Sequence, residues 1–526
     1  MDFKTRRIRY KKSFLKSLYE KVVSKFSTLF TRKSKKQKHT AGLFIAIIVI
    51  VILFFYGCEA IISKIGVINV IGIFGEQLKT DSYGNTNVLL LGAGGEGHDG
   101  EYLTDTIIVA SIDQSNKLVP MLSIPRDFYV DVDELGGGMR INNVYELGKD
   151  KYGTEIGIQL VEEAIEDITG VEIHYHVLIN FNGFKDIVDS LGGVEIYVDE
   201  AIYDPYYPLG ETIQYQTFSL PAGLQELDGD TALKYARSRK TTSDFDRSRR
   251  QQKLLFAIKD KAMSKGVLLN PGKIKDLYSS VDANIETNFS IRNIIELAKI
   301  SQDFNKENLI TKVITDDPTS CGGFLYVPER DFFGGAYVLV PIGNNYDFIH
   351  QYVDLNFHYP EISKNPLRFQ ILNGTKTAGI AGEAKAMLDR LCFDVVRFGN
   401  AQSQDIEKTT LFYKAPTTTP EENKSKETPE ALNFLKQLIP GEISTQIPSI
   451  YYESQYISEA NVIIELGEDY VGSRPEDIFY QYYPSATPAT TETTETEGDE
   501  TTDATGTDTV ETTAETPTET TAPDGV

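Results

Sequence analysis

From residue 86 onward the chain alternates short unbroken apolar runs with longer segments whose apolar positions recur every three or four residues. TNVLLLG (86–92), DTIIVASID (105–113) and LVPMLSIP (118–125) are runs of the first kind, and such near-continuous apolarity predicts buried strands. TEIGIQLVEEAIEDI (154–168) instead spaces its apolar residues for one face of a helix, and Thr154 with its neighbours supplies a capping signal at its start. A strand over IHYHVLIN (173–180), a helix through FNGFKDIVDSL (181–191) and a strand over GVEIYV (193–198) follow. Two helices come next, one over DGDTALKYARSR (228–239) and one from near Asp244 to about Lys265. Alternation of this kind predicts an α/β domain, a mixed central sheet with flanking helices.

A second, smaller α/β unit is expected from near Pro366. LRFQILNG reads as a strand with a turn signal, TAGIAGEAKAMLDRL as an amphipathic helix and FDVVRFGN as a strand. TTLFYK and NVIIELG supply further strands, PEALNFLKQL another helix, and residues 415–430 an exposed loop or insertion.

Charge changes the picture at both ends. The formal net charge is −24 over 526 residues, yet the first forty carry fourteen Lys and Arg against Asp2 and Glu20. The next eighteen, AGLFIAIIVIVILFFYGC (41–58), carry no charge, and the apolar stretch resumes after Glu59. An apolar run that long behind a basic block predicts an uncleaved signal anchor, with the basic flank cytoplasmic and the chain from about residue 63 outside. Residues 485–526 are Thr, Glu, Pro, Ala and Gly with eleven acids and no Lys or Arg, a composition that supplies no core and predicts a disordered tail. The expected organisation is a basic cytoplasmic segment (1–40), a transmembrane anchor (41–62), a linker (63–85) and a main domain (86–310). A connecting segment (311–365), a C-terminal domain (366–470) and a linker with the acidic Thr-rich tail (471–526) complete it.

Three cysteines bound the redox chemistry. Cys58 falls in the apolar span, leaving Cys321 and Cys392 outside, where a disulfide is permitted; neither has a base nearby in the sequence to make it a nucleophile. His174 and His176 share one strand face, but no Cys or further His stands at ligand spacing, which favours structural roles. LGAGGEG (91–97) looks like a dinucleotide loop with Asp113 downstream, but the glycines lead into another strand, so no helix N-terminus is there to hold a pyrophosphate. The tyrosines of YDPYYPLGETIQY (203–215) form either a sugar-contacting loop or one packed on its own domain.

The candidate chemistry lies in LTDT (103–106), SIPRDFYV (123–130), IVDSLGGV (187–194), LDGDTALKYARSR (227–239) and DFDRSRRQQ (244–252). On a helix Arg247, Arg250 and Gln251 fall on one face while Arg249 and Gln252 point elsewhere, and Arg237 and Arg239 end the preceding helix. Like charges crowded together repel unless an anion joins them, and planar guanidinium groups match phosphate oxygens two-pronged. The cluster asks for a phosphorylated partner.

The order NVLLLG, TDTIIVASID, SIPRD, RINNVY, VDSLGGV, DGDTALKYARSR, DFDRSRRQQ resembles the LytR-CpsA-Psr family over roughly residues 85–310, and LRFQILNGTKTAGIAGEAKAML resembles the LytR C-terminal domain often appended to it. The resemblance implies an extracytoplasmic phosphotransferase that moves a glycopolymer from a polyprenyl pyrophosphate carrier to a cell-wall acceptor such as peptidoglycan, with Mg²⁺ or Mn²⁺ and no nucleic acid. It implies pyrophosphate binding by Arg126, Arg237, Arg239, Arg247 and Arg250 with Gln251, and a metal ligand in Asp105. Ala93 and Leu103 depart from the family's usual aspartate and arginine, so Asp99 or Glu96 is expected either to replace the lost ligand or to be a solvated loop residue. Arg126 is expected to act in catalysis too, and Asp127 and Asp244 are the candidate bases for the attacking hydroxyl. Two other classes stay open, a non-catalytic wall or lipid-carrier binding protein and a pyrophosphatase.

Overall fold

The computed structural model describes residues 76–98, 100–208, 214–238, 244–364, 366–415, 428–453 and 460–473. The basic segment, the apolar span, the acidic tail, the bulk of the 415–430 loop, Asp99 and Arg239 lie outside these. Among the described residues no helix is long and apolar enough to cross a membrane.

In the first domain the strands are β1 (Thr86–Ala93), β2 (Thr106–Ile112), β3 (Val119–Ser123), β4 (Tyr129–Val132), β5 (Gly137–Arg140) and β6 (Tyr175–Asn180). They continue as β7 (Val194–Val198), β8 (Ile202–Pro208), β9 (Tyr215–Leu220), β10 (Gly223–Leu227), β11 (Ile285–Thr287) and β12 (Leu309–Val313). Its helices are α1 (Val144–Tyr152), α2 (Thr154–Thr169), α3 (Phe181–Ser190), α4 (Gly229–Arg237), α5 (Asp244–Ser264), α6 (Pro271–Val281) and α7 (Ile291–Ile300).

Six strands form one sheet in the order β11-β6-β1-β2-β3-β12. β1 runs parallel to β6 and antiparallel to β2, while β3 is antiparallel to β2 and parallel to β12. The carboxyl ends of β1, β3, β6 and β12 therefore meet the start of β2 along one edge. In sheets of this kind ligands bind outside the carboxyl ends of the strands, and the motif residues stand there.

The alternation of the strands explains the layers. Leu89, Leu91, Ile107, Val109 and Leu122 face α2, whose Ile158, Val161, Ile165 and Ile168 are buried against them. Val88, Ile112 and Tyr175 face the other way, towards Phe289 and α7, and Ile108, Ala110 and Met121 pack with Leu255 of α5. Thr154 is not the cap of α2. Gly153, at φ +94°, sits between α1 and α2, and its own conformation turns the chain with no side-chain cap bond. Side-chain caps do start α3, where Asn180 accepts from the Gly183 amide at 2.9 Å, and α4, where Asp228 accepts from Thr231 at 2.8 Å. Those Thr231 hydrogen bonds hold the Asp228 carboxyl below its ordinary range.

The connecting segment is structured: short strands β13 (Leu325–Tyr326) and β14 (Val340–Pro341) pair antiparallel, and α8 (Asp347–His358) follows. The C-terminal strands are β15 (Arg368–Asn373), β16 (Asp394–Asn400), β17 (Thr410–Tyr413), β18 (Glu442–Ser444) and β19 (Val462–Leu466), in the order β16-β15-β19-β17-β18. They pack with α9 (Ile380–Arg390) and α10 (Glu430–Leu438). One hydrophobic cluster runs from Leu89 and Ile165 through Tyr352 and Phe357 of α8 to Phe369, Leu388 and Leu435. A disulfide joins Cys321 to Cys392, with Cα atoms 4.8 Å apart. Tyr352 is fully buried with its hydroxyl 3.6 and 3.8 Å from the two bonded sulfurs, and burial pushes its phenol above the ordinary range.

Candidate active site

Beyond β3 the chain turns through Pro125 and presents Arg126. Its Nη1 donates to Asp105 Oδ1 at 2.9 Å, and its Nε lies 3.6 Å from Asp127 Oδ2. The other oxygen of Asp127 takes a hydrogen bond from Arg140 Nη1 at 3.3 Å, a contact made possible because β4 and β5 pair Tyr129 with Arg140. Asn142 donates to Asp105 Oδ1 at 3.3 Å, and its backbone amide bonds to the Arg126 carbonyl. These bonds fix the direction of the Arg126 guanidinium. RINNVY is the source of both Arg140 and Asn142; sequence spacing gave neither a role, since only the β4–β5 pairing brings them to the site.

Arg126 and Asp127 line a cavity of about 200 Å³ with Asp105, Arg247, Gln251 and Asp316. Arg247 and Gln251 come from α5, which crosses the sheet beside β12 and is seated by Gln252. That amide donates to Ser123 Oγ at 2.9 Å and to the Lys312 carbonyl at 3.1 Å. Thus Gln252 points into the sheet and Gln251 towards the cavity.

Arg250 departs from its expected place. The helical wheel groups it with Arg247, but its Nε donates to the Tyr235 carbonyl at 2.9 Å and its Nη2 to the Ser238 carbonyl, tying α5 to the end of α4. It is buried there, outside the Arg126 cavity, and burial pulls its pKa below the ordinary guanidinium value. The open carbonyls at the C-terminus of α4 attract it, an effect helical spacing within α5 does not contain.

Arg237 stands at the same edge of the sheet, its guanidinium carbon 4.1 Å from the centroid of the Phe181 ring and Nη1 3.4 Å from the Tyr207 hydroxyl. Burial raises the Tyr207 phenol against the opposing pull of Arg237. Asp244 begins α5. Glu96 is exposed in the β1–β2 turn, and Ala93 is buried at the end of β1, paired with Asn180. His174 and His176 have separate partners, the Asn87 amide and Glu162.

Among the described residues no three His, Cys, Asp or Glu side chains gather to hold a metal. Among the described residues, Asp105 is the one carboxylate of the expected set that lines the cavity, and its Oδ1 accepts from Arg126 and Asn142. A hard cation takes oxygen ligands and completes its shell with water and substrate phosphate oxygens; Asp105 is the described residue of the expected set that would hold Mg²⁺ or Mn²⁺ here, and no step below passes through one.

A mixed sheet whose carboxyl edge carries fixed guanidinium groups around a small cavity defines a phosphate-handling α/β protein. The LytR_cpsA_psr family matches residues 64–331, and the chain belongs to it. Residues 367–470 match a second family, described as LytR cell envelope-related transcriptional attenuator. The chain is 25% identical over 389 residues to the cell wall biosynthesis protein LcpA of Corynebacterium glutamicum, covering 67% of this chain and 70% of that one. It is 29% identical over 248 residues to the polyisoprenyl-teichoic acid–peptidoglycan teichoic acid transferase TagU of Bacillus anthracis, covering 46% and 74%. The crystal structure of Bacillus subtilis TagV aligns with a TM-score of 0.40 at 25% identity, over 52% of this chain and 97% of that one.

Proposed function

We propose that this protein is a membrane-anchored, extracytoplasmic phosphotransferase that moves a glycopolymer from a polyprenyl pyrophosphate carrier to a hydroxyl of the cell wall. The observation that carries the reading is the meeting of Arg126 and Arg247, from elements more than a hundred residues apart, around one cavity with Gln251. Relatives named as transferases of polyisoprenyl-linked teichoic acid support the same chemistry.

The acceptor oxygen attacks the phosphorus bonded to the glycan, its proton passes to a carboxylate, and the bond to the bridging oxygen breaks. Polyprenyl phosphate leaves with the electron pair. Negative charge grows on the bridging and terminal oxygens, and the Arg126 guanidinium, already held by Asp127 and by Asp105, which Asn142 also binds, stabilises it without reorganising. Asp127 has guanidinium groups facing both its oxygens, which makes it the group that aims Arg126. The carrier's tail has an apolar path on the sheet face where Leu90, Val177 and Ile179 are only partly buried, Leu90 opposite Val177 and Gly92 opposite Ile179. The apolar span at 41–62 would hold the enzyme at the surface where that carrier resides.

Release of polyprenyl phosphate from a lipid-linked glycan, measured with and without peptidoglycan fragments, tests this. The expected result is release that depends on the acceptor. Equal release without acceptor would make the protein a pyrophosphatase, and binding with no release would make it a carrier-binding protein.

A further inference from the structure

Arg237 is held differently from Arg126. Arg126 has one carboxylate at its Nη1 and another near its Nε, Asp105 at 2.9 Å and Asp127 at 3.6 Å. Arg237 ends α4, and its neighbours are aromatic: its guanidinium carbon lies 4.1 Å from the centroid of the Phe181 ring and 5.8 Å from that of Tyr207. Its Nη1 donates to the Tyr207 hydroxyl at 3.4 Å, and among the described residues no carboxylate pairs with it. A guanidinium has several N–H donors, and Tyr207 takes one. The rings attract the cation through their quadrupole and, being neutral, leave its charge uncancelled.

Local structure aims both rings. In β8, Ile202 and Asp204 face inward, so strict alternation would turn Tyr206 in and Tyr207 out. The β8–β9 pairing shifts register between Asp204 and Tyr207, β8 takes up an extra residue there, and the outcome is reversed: Tyr207 is 4% exposed and Tyr206 57%. The buried Asp204 fixes this bulge. Its Oδ1 accepts from the Tyr206 amide at 3.2 Å and its Oδ2 from the Ser238 hydroxyl at 2.9 Å. Ser238 directly follows Arg237, so one carboxylate sets the direction of Tyr207 and ties its hairpin to the end of α4. The other ring, Phe181, begins α3. Its amide donates to the Gly94 carbonyl at 3.3 Å, and the His98 ring meets it edge-on with 5.1 Å between centroids, so the β1–β2 turn backs it.

We infer that Phe181 and Tyr207 are positioning residues, an aromatic seat that holds Arg237 at the carboxyl edge of the sheet with its charge whole, so that this arginine captures the diphosphate of the incoming carrier. The inference deepens the transferase reading and rests on it, since the anion it names is the diphosphate of that donor. A guanidinium flanked by carboxylates offers an approaching anion only part of its field, whereas one resting on neutral rings offers all of it. A planar guanidinium on a ring also keeps its edge N–H groups free for phosphate oxygens. Asp204 and Ser238 act one step further back, through the bulge that turns Tyr207 inward.

The test titrates a short-chain polyprenyl pyrophosphate into the full chain, and measures acceptor-dependent release from the same carrier bearing a disaccharide, with peptidoglycan fragments as acceptor. R237A is expected to lose about tenfold in affinity, and Y207L and F181L to follow it. Y207F keeps the ring and is expected to lose no more than about threefold, the scale of one long neutral hydrogen bond. In steady-state release Y207L is expected to raise KM for the donor with kcat held within about threefold, because Arg126 keeps its own carboxylates. In the R237A background neither Y207L nor F181L is expected to lower affinity further, which separates a residue acting through Arg237 from one that only supports the fold. Urea unfolding checks each variant, and F181L, on a different element, carries the cycle should Y207L unfold. Parental affinity in R237A, or in both ring variants, would overturn the seat, as would a loss from Y207L that is undiminished in R237A. A parent that binds the carrier yet releases nothing with any acceptor would overturn the transferase reading, while the binding cycle still decides the seat.

Discussion

Arg247 and Arg250 stand three residues apart in α5, yet one lines the cavity and the other spends its guanidinium on the carbonyls of Tyr235 and Ser238. Removing Arg250 leaves those buried acceptors unpaired, so R250A is expected to lose about 2 to 4 kcal/mol in urea unfolding, and R250K to recover only part of it because a single ammonium does not reproduce the fork. R247A is expected to lose at least about a hundredfold in transfer. Transfer by R247A equal to that of the parent would show that Arg247 has no part in the chemistry of the cavity. The family resemblance gathered Arg126, Arg247 and Gln251, which line one cavity in the structure, while helical spacing put only the last two on one face with Arg250. That spacing misplaced Arg250, whose partner is another element's backbone, and it was silent on Arg140, Asn142 and Asp316, whose positions depend on pairings between distant segments.

At the scale of elements, α5 is held at its height on the sheet by Gln252, fully buried, which bridges Ser123 on β3 and Lys312 on β12. Since β3 leads into Arg126 and β12 into Asp316, one amide sets the register of three walls of the cavity. Q252A is expected to cost about 1 to 3 kcal/mol and to raise KM for the lipid-linked donor, measured by urea unfolding and steady-state release; a stability loss with KM unchanged would contradict this positioning. The long strands and helices were legible because their apolar period is sustained, as in β1, β2, β3 and α2. The β4–β5, β7–β10 and β8–β9 pairs were not read as pairs. Their strands are short and half exposed, so their partners, rather than their own pattern, define them.

At the scale of the whole molecule, sequence suggested two units with a connector. The structure shows one apolar core through both, with Tyr352 and Phe357 of the connector fully buried between Ile165 on one side and Phe369 on the other. Large side chains buried in this way contribute about 1.5 to 3 kcal/mol each, and the Cys321–Cys392 bond closes the seam. The segment 63–484 is therefore expected to unfold in one calorimetric transition, and 63–365, which bares that face, to melt lower or aggregate. Two separated transitions in the longer segment would show independent units.

Everything at the three scales depends on the arginines of separate elements meeting around one diphosphate. Titration calorimetry of a short-chain polyprenyl pyrophosphate into the parent, R126A and R247A measures this most directly. Loss of at least about tenfold in affinity for each variant, some 1.4 kcal/mol, is the predicted result, and affinity equal to that of the parent in both would contradict it.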